Sequence, residues 1–351
     1  MILTGDIGGT KSYLGIFEQN STENAPIREH EYSSKEYAKK GITTMVGDFL
    51  AEAGIKKKKL NAACFGVAGN VLNGKCQLSN LDWELDEREL SQSLNHIPVK
   101  LFNDMETIGL GIFMLSDTQL ESLNPDVPFD ENNTLPRAVI AAGTGLGEVG
   151  LFWNQKEQQF FPLASEGGHS DFAPIDKLQA KLFRYLLKQE NLLEHVSYER
   201  VLSGAGLFNI YQFLVEKEAC REEKYLKQRL AEENAKGENA NHAAIISEEA
   251  LAKKDDCCEK ALDIFVSIYG ARAGNLALNY KALGGIYLGG GIAPKIIEKL
   301  RDGTFMKAFK KKGRFKKFVS QVPVYVIHEP KVGLLGAAYY AWKMCEKPFI
   351  R

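Results

Sequence analysis

The sequence predicts an α/β protein folded as two lobes, and three observations carry that expectation. Apolar strands at three distant places run into glycine turns: the start of the chain into Thr4–Lys11 (T-G-D-I-G-G-T-K), Ala138–Gly147 (A-V-I-A-A-G-T-G-L-G) and Gly284–Pro294 (G-G-I-Y-L-G-G-G-I-A-P). The order of paired strands about a glycine turn, then strand and helix, begins at residue 1 and again near Val139. The length of 351 residues exceeds one ordinary core.

Residues 1–17 read as two strands flanking Gly8-Gly9. Tyr37–Ala53 places Ile42, Met45, Val46, Phe49 and Leu50 at helical spacing. Leu60–Val67 is a strand closed by Ala68-Gly69-Asn70, and Leu85–Leu94 a short amphipathic helix. Val99–Phe102 is a buried-type strand that delivers Asn103-Asp104 at its C-terminal end, where α/β sheets present ligand groups. Met105–Leu115 reads as the following helix, and the polar Leu123–Asn133 as a loop or domain junction. Strands resume over Val139–Phe152; helices are expected at Leu178–Leu187, Leu207–Val215 and Ala261–Leu278. The charge-rich Glu216–Ala252 reads as a solvated helix face or an exposed insertion. Lys307–Lys317, basic with phenylalanines, reads as a surface helix-turn. Val332–Ala341 (V-G-L-L-G-A-A-Y-Y-A) is a small-residue helix suited to close packing.

Composition excludes several classes. A formal net charge of −1 leaves no electrostatic footprint for nucleic acid. No apolar run approaches the ~20 residues of a membrane span, and no basic leader with an apolar core opens the chain. A cytoplasmic protein is expected. The six cysteines are scattered without C-x-x-C, which fits reduced thiols and neither a disulfide frame nor a zinc site. Asn20-Ser21-Thr22 and Asn132-Asn133-Thr134 match glycosylation acceptors and are discounted for want of a signal peptide.

The first glycine turn has the chemistry of a phosphate site. Glycine permits close backbone approach, successive N–H groups can form an anion-binding nest, and Asp6 argues for an accompanying metal. An ordinary Gly-Gly hairpin is the alternative. Two motif matches fail on context. Gly145–Gly150 fits G-x-G-x-x-G, but Leu151-Phe152-Trp153 continues a strand where a dinucleotide fingerprint must open a helix. Gly69–Cys76 nearly fits a P-loop, but it ends in cysteine and no helical pattern follows.

Asn103-Asp104 offers a carboxylate at a strand end, able to accept a proton from a hydroxyl; a helix N-cap is the plainer reading. Ser165-Glu166-Gly167-Gly168-His169-Ser170-Asp171 sets two carboxylates and an imidazole around a flexible Gly-Gly, groups that can grip vicinal hydroxyls. A polar loop is its alternative, and no second His or Cys stands at metal-ligand spacing. Glu199, before Ser203-Gly204-Ala205-Gly206, adds a carboxylate that by itself reads as a surface pair with Arg200. Asn103, Asp104, Glu166, His169 and Glu199 together suit a polyhydroxylated ligand. Beside a nucleotide site, the reaction class is phosphoryl transfer to a sugar hydroxyl.

With these motifs the chain resembles the bacterial-type glucokinases, in the non-zinc part of the hexokinase/actin-like ATPase superfamily. L-F-N-D, S-E-G-G-H-S-D-F-A-P and E-R-V-L-S-G-A-G-L are specific to that branch. The resemblance implies a two-lobed actin-like ATPase (ribonuclease H-like) fold with a cleft between a small α/β lobe, 1–114 plus 329–351, and a large one, 115–328. It implies phosphorylation of D-glucose at the 6-hydroxyl with ATP and Mg²⁺, in glycolysis, by a homodimer. Asp104 would be the catalytic base, and Asn103, Glu166, His169 and Glu199 would hold glucose. Asp6, Gly8, Gly9, Thr10, Lys11, Gly143, Thr144 and Gly290 would line the ATP site, and no structural metal is expected. Another hexose, a polyphosphate donor or a non-catalytic sugar-sensing regulator are the alternatives. The regulator would want a DNA-binding segment ahead of Asp6, where five residues stand.

Overall fold

The computed structural model describes residues 1–18, 24–78, 81–129, 134–189, 195–237 and 240–346. Asn20 and Asn132 of the acceptor sites, and Ser79-Asn80, lie outside these. The chain divides into two compact units. One comprises Met1–Gln119, Asn154–Ala164 and Glu329–Arg351; the other comprises Leu120–Trp153 and Ser165–His328.

In the first unit the strands run in the order Arg28–Ser33, Lys11–Phe17, Ile2–Ile7, Ala62–Val67, Val99–Asn103. Ile2–Ile7 pairs antiparallel with Lys11–Phe17 and parallel with Ala62–Val67. Ala62–Val67 is buried along its whole length, which explains its unbroken small and apolar run. Alternate side chains divide the sheet between two cores. Leu3, Ile7, Ala63 and Phe65 pack with Met45, Val46 and Phe49 of the helix Ile42–Glu52. Ile2, Phe17, Ala62 and Cys64 pack with Leu334, Ala337, Ala338 and Ala341 of the helix Val332–Glu346. That helix meets Asp104–Gly111 backbone to backbone: a Cβ at Gly336 would collide with the Thr107 carbonyl.

The second unit repeats the plan. Arg137–Ala142 pairs antiparallel with Leu146–Asn154 and parallel with Ile286–Gly289, which pairs parallel with Val324–Ile327. The helix Asp256–Asn279 covers this sheet, and its Tyr269 hydroxyl donates to the Ile140 carbonyl at 3.2 Å.

Several expected boundaries move for local reasons. Tyr37 belongs to a short 3₁₀ turn, and the helix starts only at Ile42, after Gly41 at φ 78°. Leu85 lies in the strand Trp83–Asp86, whose last residue caps the helix Glu87–Ser93 through the Arg88 N–H. Two larger corrections concern Glu216–Ala252 and the thiols. The charge-rich stretch forms the helices Lys224–Asn234 and His242–Leu251, and Leu226, Leu230, Ile245, Ile246 and Ala250 join the main core of the second unit. The outer face of Lys224–Asn234 is solvated, as one of the two expectations had it, but the stretch is packed on its inner side and is not an exposed insertion. Cys220 and Cys257 form a disulfide with a Cα–Cα separation of 5.7 Å, because the loop after Gly204–Lys217 returns to the first turn of Asp256–Asn279. Cys64, Cys76, Cys258 and Cys345 are free.

Candidate active site

The first glycine turn spans Gly8–Thr10 between antiparallel strands. Ser34 braces it: its hydroxyl donates to the Gly8 carbonyl at 2.7 Å and its N–H to the Thr10 carbonyl at 2.9 Å. Asp6, at the end of the leading strand, is half-buried. Burial, and then the negative charge of Asp104, push its carboxyl up to about 6. Lys11 is turned outward, with Nζ 2.6 Å from Glu31 Oε1, and Tyr13 donates to the same carboxylate.

Asn103 and Asp104 combine both sequence readings. Asn103 is the N-cap of Asp104–Gly111: its side-chain oxygen accepts from Met105 N–H at 3.0 Å, and its own N–H donates to Glu106 Oε2 at 2.9 Å, a complete capping box. Its Nδ2 donates to the Gly69 carbonyl at 3.1 Å. Asp104 Oδ1 accepts from Met105 N–H at 2.9 Å. The carboxylate is thereby set on a rigid helix start beside Asp6.

In the second unit, Gly143-Thr144-Gly145 form the turn, closed by Gly143 N–H to the Gly145 carbonyl at 2.9 Å. The turn opens on a cavity of about 630 Å³, walled by Gly204, Phe208, His242, Ser247, Gly291 and Ile292 among others. The Phe208 and His242 rings stack at 4.2 Å and 14°. Burial lowers the pKa of His242, and its Nε2 is buried with no hydrogen-bond partner among the described residues. Gly290 has φ 79°, and a Cβ there would strike the Ala142 carbonyl, so that turn requires glycine. Gly143 differs: nothing lies within 4 Å of where its Cβ would be.

Glu166, His169 and Glu199 gather on two loops of this unit that are laced together. Phe172 N–H donates to Val196 O at 2.8 Å, Tyr198 N–H donates to Ser170 O at 3.0 Å, and Asp171 meets His195 at 2.8 Å. Glu166 and His169 are mostly exposed and 3.9 Å apart. Glu199 does not behave as a surface residue: its Oε2 accepts from Leu146 N–H at 3.0 Å, next to the glycine turn. Ser203 donates to the Glu199 carbonyl at 2.8 Å and caps Gly204–Lys217, whose first N–H donates to the Gly143 carbonyl at 2.9 Å.

Sequence reasoning missed Ser34, Phe208 and His242. Ser34 lies far along the chain from the turn it braces. His242 sits in the stretch that average charge had assigned to solvent.

A glucokinase family model matches residues 3–344. The glucokinase of Trichormus variabilis is 39% identical over 349 residues, 98% of this chain and 99% of that one. That of Synechocystis sp. is 38% identical over 351 residues, 97% of each chain. Among solved structures, a glucokinase from an Antarctic psychrotroph gives a TM-score of 0.79 at 27% identity, covering 97% of this chain and 98% of that one. A ROK family glucokinase from Streptomyces griseus, in complex with glucose and AMPPNP, gives 0.60 at 20% identity, covering 97% and 99%, a likeness of fold. The fold is that of the actin-like sugar kinases.

Proposed function

The chain belongs to the glucokinase family, and from that premise we infer that it transfers the γ-phosphoryl group of ATP to the 6-hydroxyl of D-glucose. The geometric observation that supports this best is the Glu199–Leu146 hydrogen bond of 3.0 Å. It ties a loop suited to sugar hydroxyls to a turn suited to phosphate, as phosphoryl transfer needs, since catalysis there is chiefly positioning and charge.

In this reading Asp104 accepts the proton of the 6-hydroxyl as the phosphoryl group arrives. The Met105 N–H holds one of its oxygens and so fixes its rotamer. Asn103, Glu166, His169 and Glu199 take the other hydroxyls. Gly8, Gly9, Thr10, Gly143 and Thr144 offer backbone to the phosphates. Lys11 would have to leave Glu31 to assist, whereas Gly290 shapes its turn. The cavity beside Gly143, with its stacked Phe208 and His242, suits a nucleoside and favours ATP over polyphosphate.

Mg²⁺ would enter with ATP and neutralise phosphate charge. Asp6 and Asp104 fit it chemically, because burial and then the neighbouring charge of Asp104 disfavour an ionised Asp6, and a dication relieves that. Among the described residues no cluster of three or more His, Cys, Asp or Glu groups could hold a metal; Mg²⁺ typically needs only one or two carboxylates besides water and phosphate. Among the same residues no helix is long and apolar enough to cross a membrane. A cytoplasmic, glycolytic homodimer is the working state we propose, supported by the family resemblance and open to sedimentation analysis.

A coupled assay with a hexose panel, each sugar offered ATP or polyphosphate, tests the activity. Glucose 6-phosphate formation with ATP is expected. Turnover confined to another hexose or to polyphosphate would replace the assignment, and binding without turnover would favour a sensor.

A further inference from the structure

Arg272 lies within the helix Asp256–Asn279 and is almost wholly buried, and Glu148 opposite it is fully buried. Arg272 Nε and Nη2 donate to Glu148 Oε1 and Oε2 at 2.6 Å each. Such a pair is weak evidence for stability, because desolvating two charges offsets much of their attraction. The other contacts of the guanidinium point to a different role. Nη2 also donates to the Gly167 carbonyl at 3.0 Å, inside the turn that carries Glu166 and His169. The guanidinium carbon lies 4.5 Å over the ring of Tyr198, the residue before Glu199.

Both loops with candidate sugar ligands therefore rest on one guanidinium. The fit has no slack: a Cβ at Gly167 would collide with the Glu148 carboxylate, and one at Gly168 with the Leu146 carbonyl. Glu166 and His169 are 84% and 61% exposed at the side chain, so their own packing does little to set their position. A lysine could not substitute, since only the planar fork makes two bonds to one carboxylate, a third bond and a ring contact at once.

We propose that Arg272, clamped by Glu148, is a positioning residue that holds Glu166, His169 and Glu199 in register for the sugar without touching it. The inference rests on the glucose-binding reading above.

The test compares wild type, Arg272→Lys, Glu148→Asp and Tyr269→Phe by calorimetric titration with glucose and by KM for ATP, at a temperature where circular dichroism shows each folded. Tyr269 is one turn earlier on the same buried helix and donates its hydroxyl to the Ile140 carbonyl, so Tyr269→Phe, which deletes that bond and keeps the ring, controls for general softening of the helix. Arg272→Lys is expected to weaken glucose binding by roughly tenfold or more, in line with the cost of misplacing a binding group by about 1 Å, while the ATP KM stays within about twofold. Tyr269→Phe should bind glucose like wild type. If Arg272→Lys does not fold, Glu148→Asp carries the test, with an expected loss of about threefold or more from a shortened clamp. Wild-type affinity in the folded Arg272→Lys, or an equal loss in Tyr269→Phe, would overturn the inference alone. A wild type that does not bind glucose would remove the reading beneath it, and the inference with it.

Discussion

The two glycine turns sit on hairpins built alike and equipped differently. Each follows a six-residue strand, Ile2–Ile7 or Arg137–Ala142, that pairs antiparallel on one side and parallel on the other. Three residues then turn the chain. The penultimate residue of the first strand is Asp6, beside Asp104; that of the second is Ala141. The first turn therefore brings charge. The second brings none and opens on a cavity of about 630 Å³. One backbone plan serves two tasks because strand ends fix where a residue points, while the residue type decides what it offers.

Removing the catalytic charge should break the comparison most sharply. Asp104→Asn keeps the shape but cannot accept a proton, so kcat should fall by roughly 10²-fold or more with glucose affinity little changed. Near-normal kcat would reduce Asn103-Asp104 to a helix cap.

The second turn separates shape from space. Gly290→Val forces a branched side chain into positive φ and into the Ala142 carbonyl, so the expected result is a large drop in Tm or insoluble protein. Gly143→Val meets no protein atom within 4 Å. It should keep the wild-type Tm and glucose affinity and raise the ATP KM by roughly tenfold, as a filled site loses close backbone approach. An unchanged ATP KM would misplace the nucleotide.

Asp6 gives the first turn a pH signature. Its carboxyl titrates near 6 in the fold against 3.8 for the ordinary group. The native state then binds more protons than the unfolded state between those values, so stability is lost as pH rises from about 4 to 6, and the cost persists above. Asp6→Asn should raise Tm at pH 7.5 by an amount corresponding to at most about 3 kcal/mol, and the gain should vanish below about pH 4. A lower Tm for Asp6→Asn at pH 7.5 would mean that the carboxylate already has a favourable partner.

The smallest effect concerns the cavity wall. His242→Ala removes one ring of the stacked pair, and the ATP KM should rise by about fivefold, the low end of base-stacking energies. Glucose binding should not change. An unaltered ATP KM would take His242 out of the donor site.

Much of the site was legible because its signals are local. Gly8-Gly9, Gly143-Thr144-Gly145 and Gly289-Gly290-Gly291 mark strand ends by backbone chemistry alone, and Ile42, Met45, Val46, Phe49 and Leu50 announce one buried helix face. The inner side of Glu216–Ala252 was not legible because average charge hides a narrow apolar stripe: Leu226 and Leu230 on one helix and Ile245 and Ile246 on the next suffice to anchor both in the core. Arg272 did leave a trace. A lone charge in the run I-Y-G-A-R-A-G-N-L-A must find a partner if the helix is buried, but nothing local names Glu148, 124 residues away.

The sequence by itself determined the strand–turn units, the apolar faces and the stock of carboxylates, because these depend on neighbours a few residues apart. Only the tertiary structure decided which groups share an environment. It set Asp104 beside Asp6, joined Cys220 to Cys257, turned Glu199 to the Leu146 N–H and lodged one guanidinium beneath two loops. Each of these rests on burial and hydrogen bonding between segments distant in the chain, and those interactions exist only once the sheets and helices have packed.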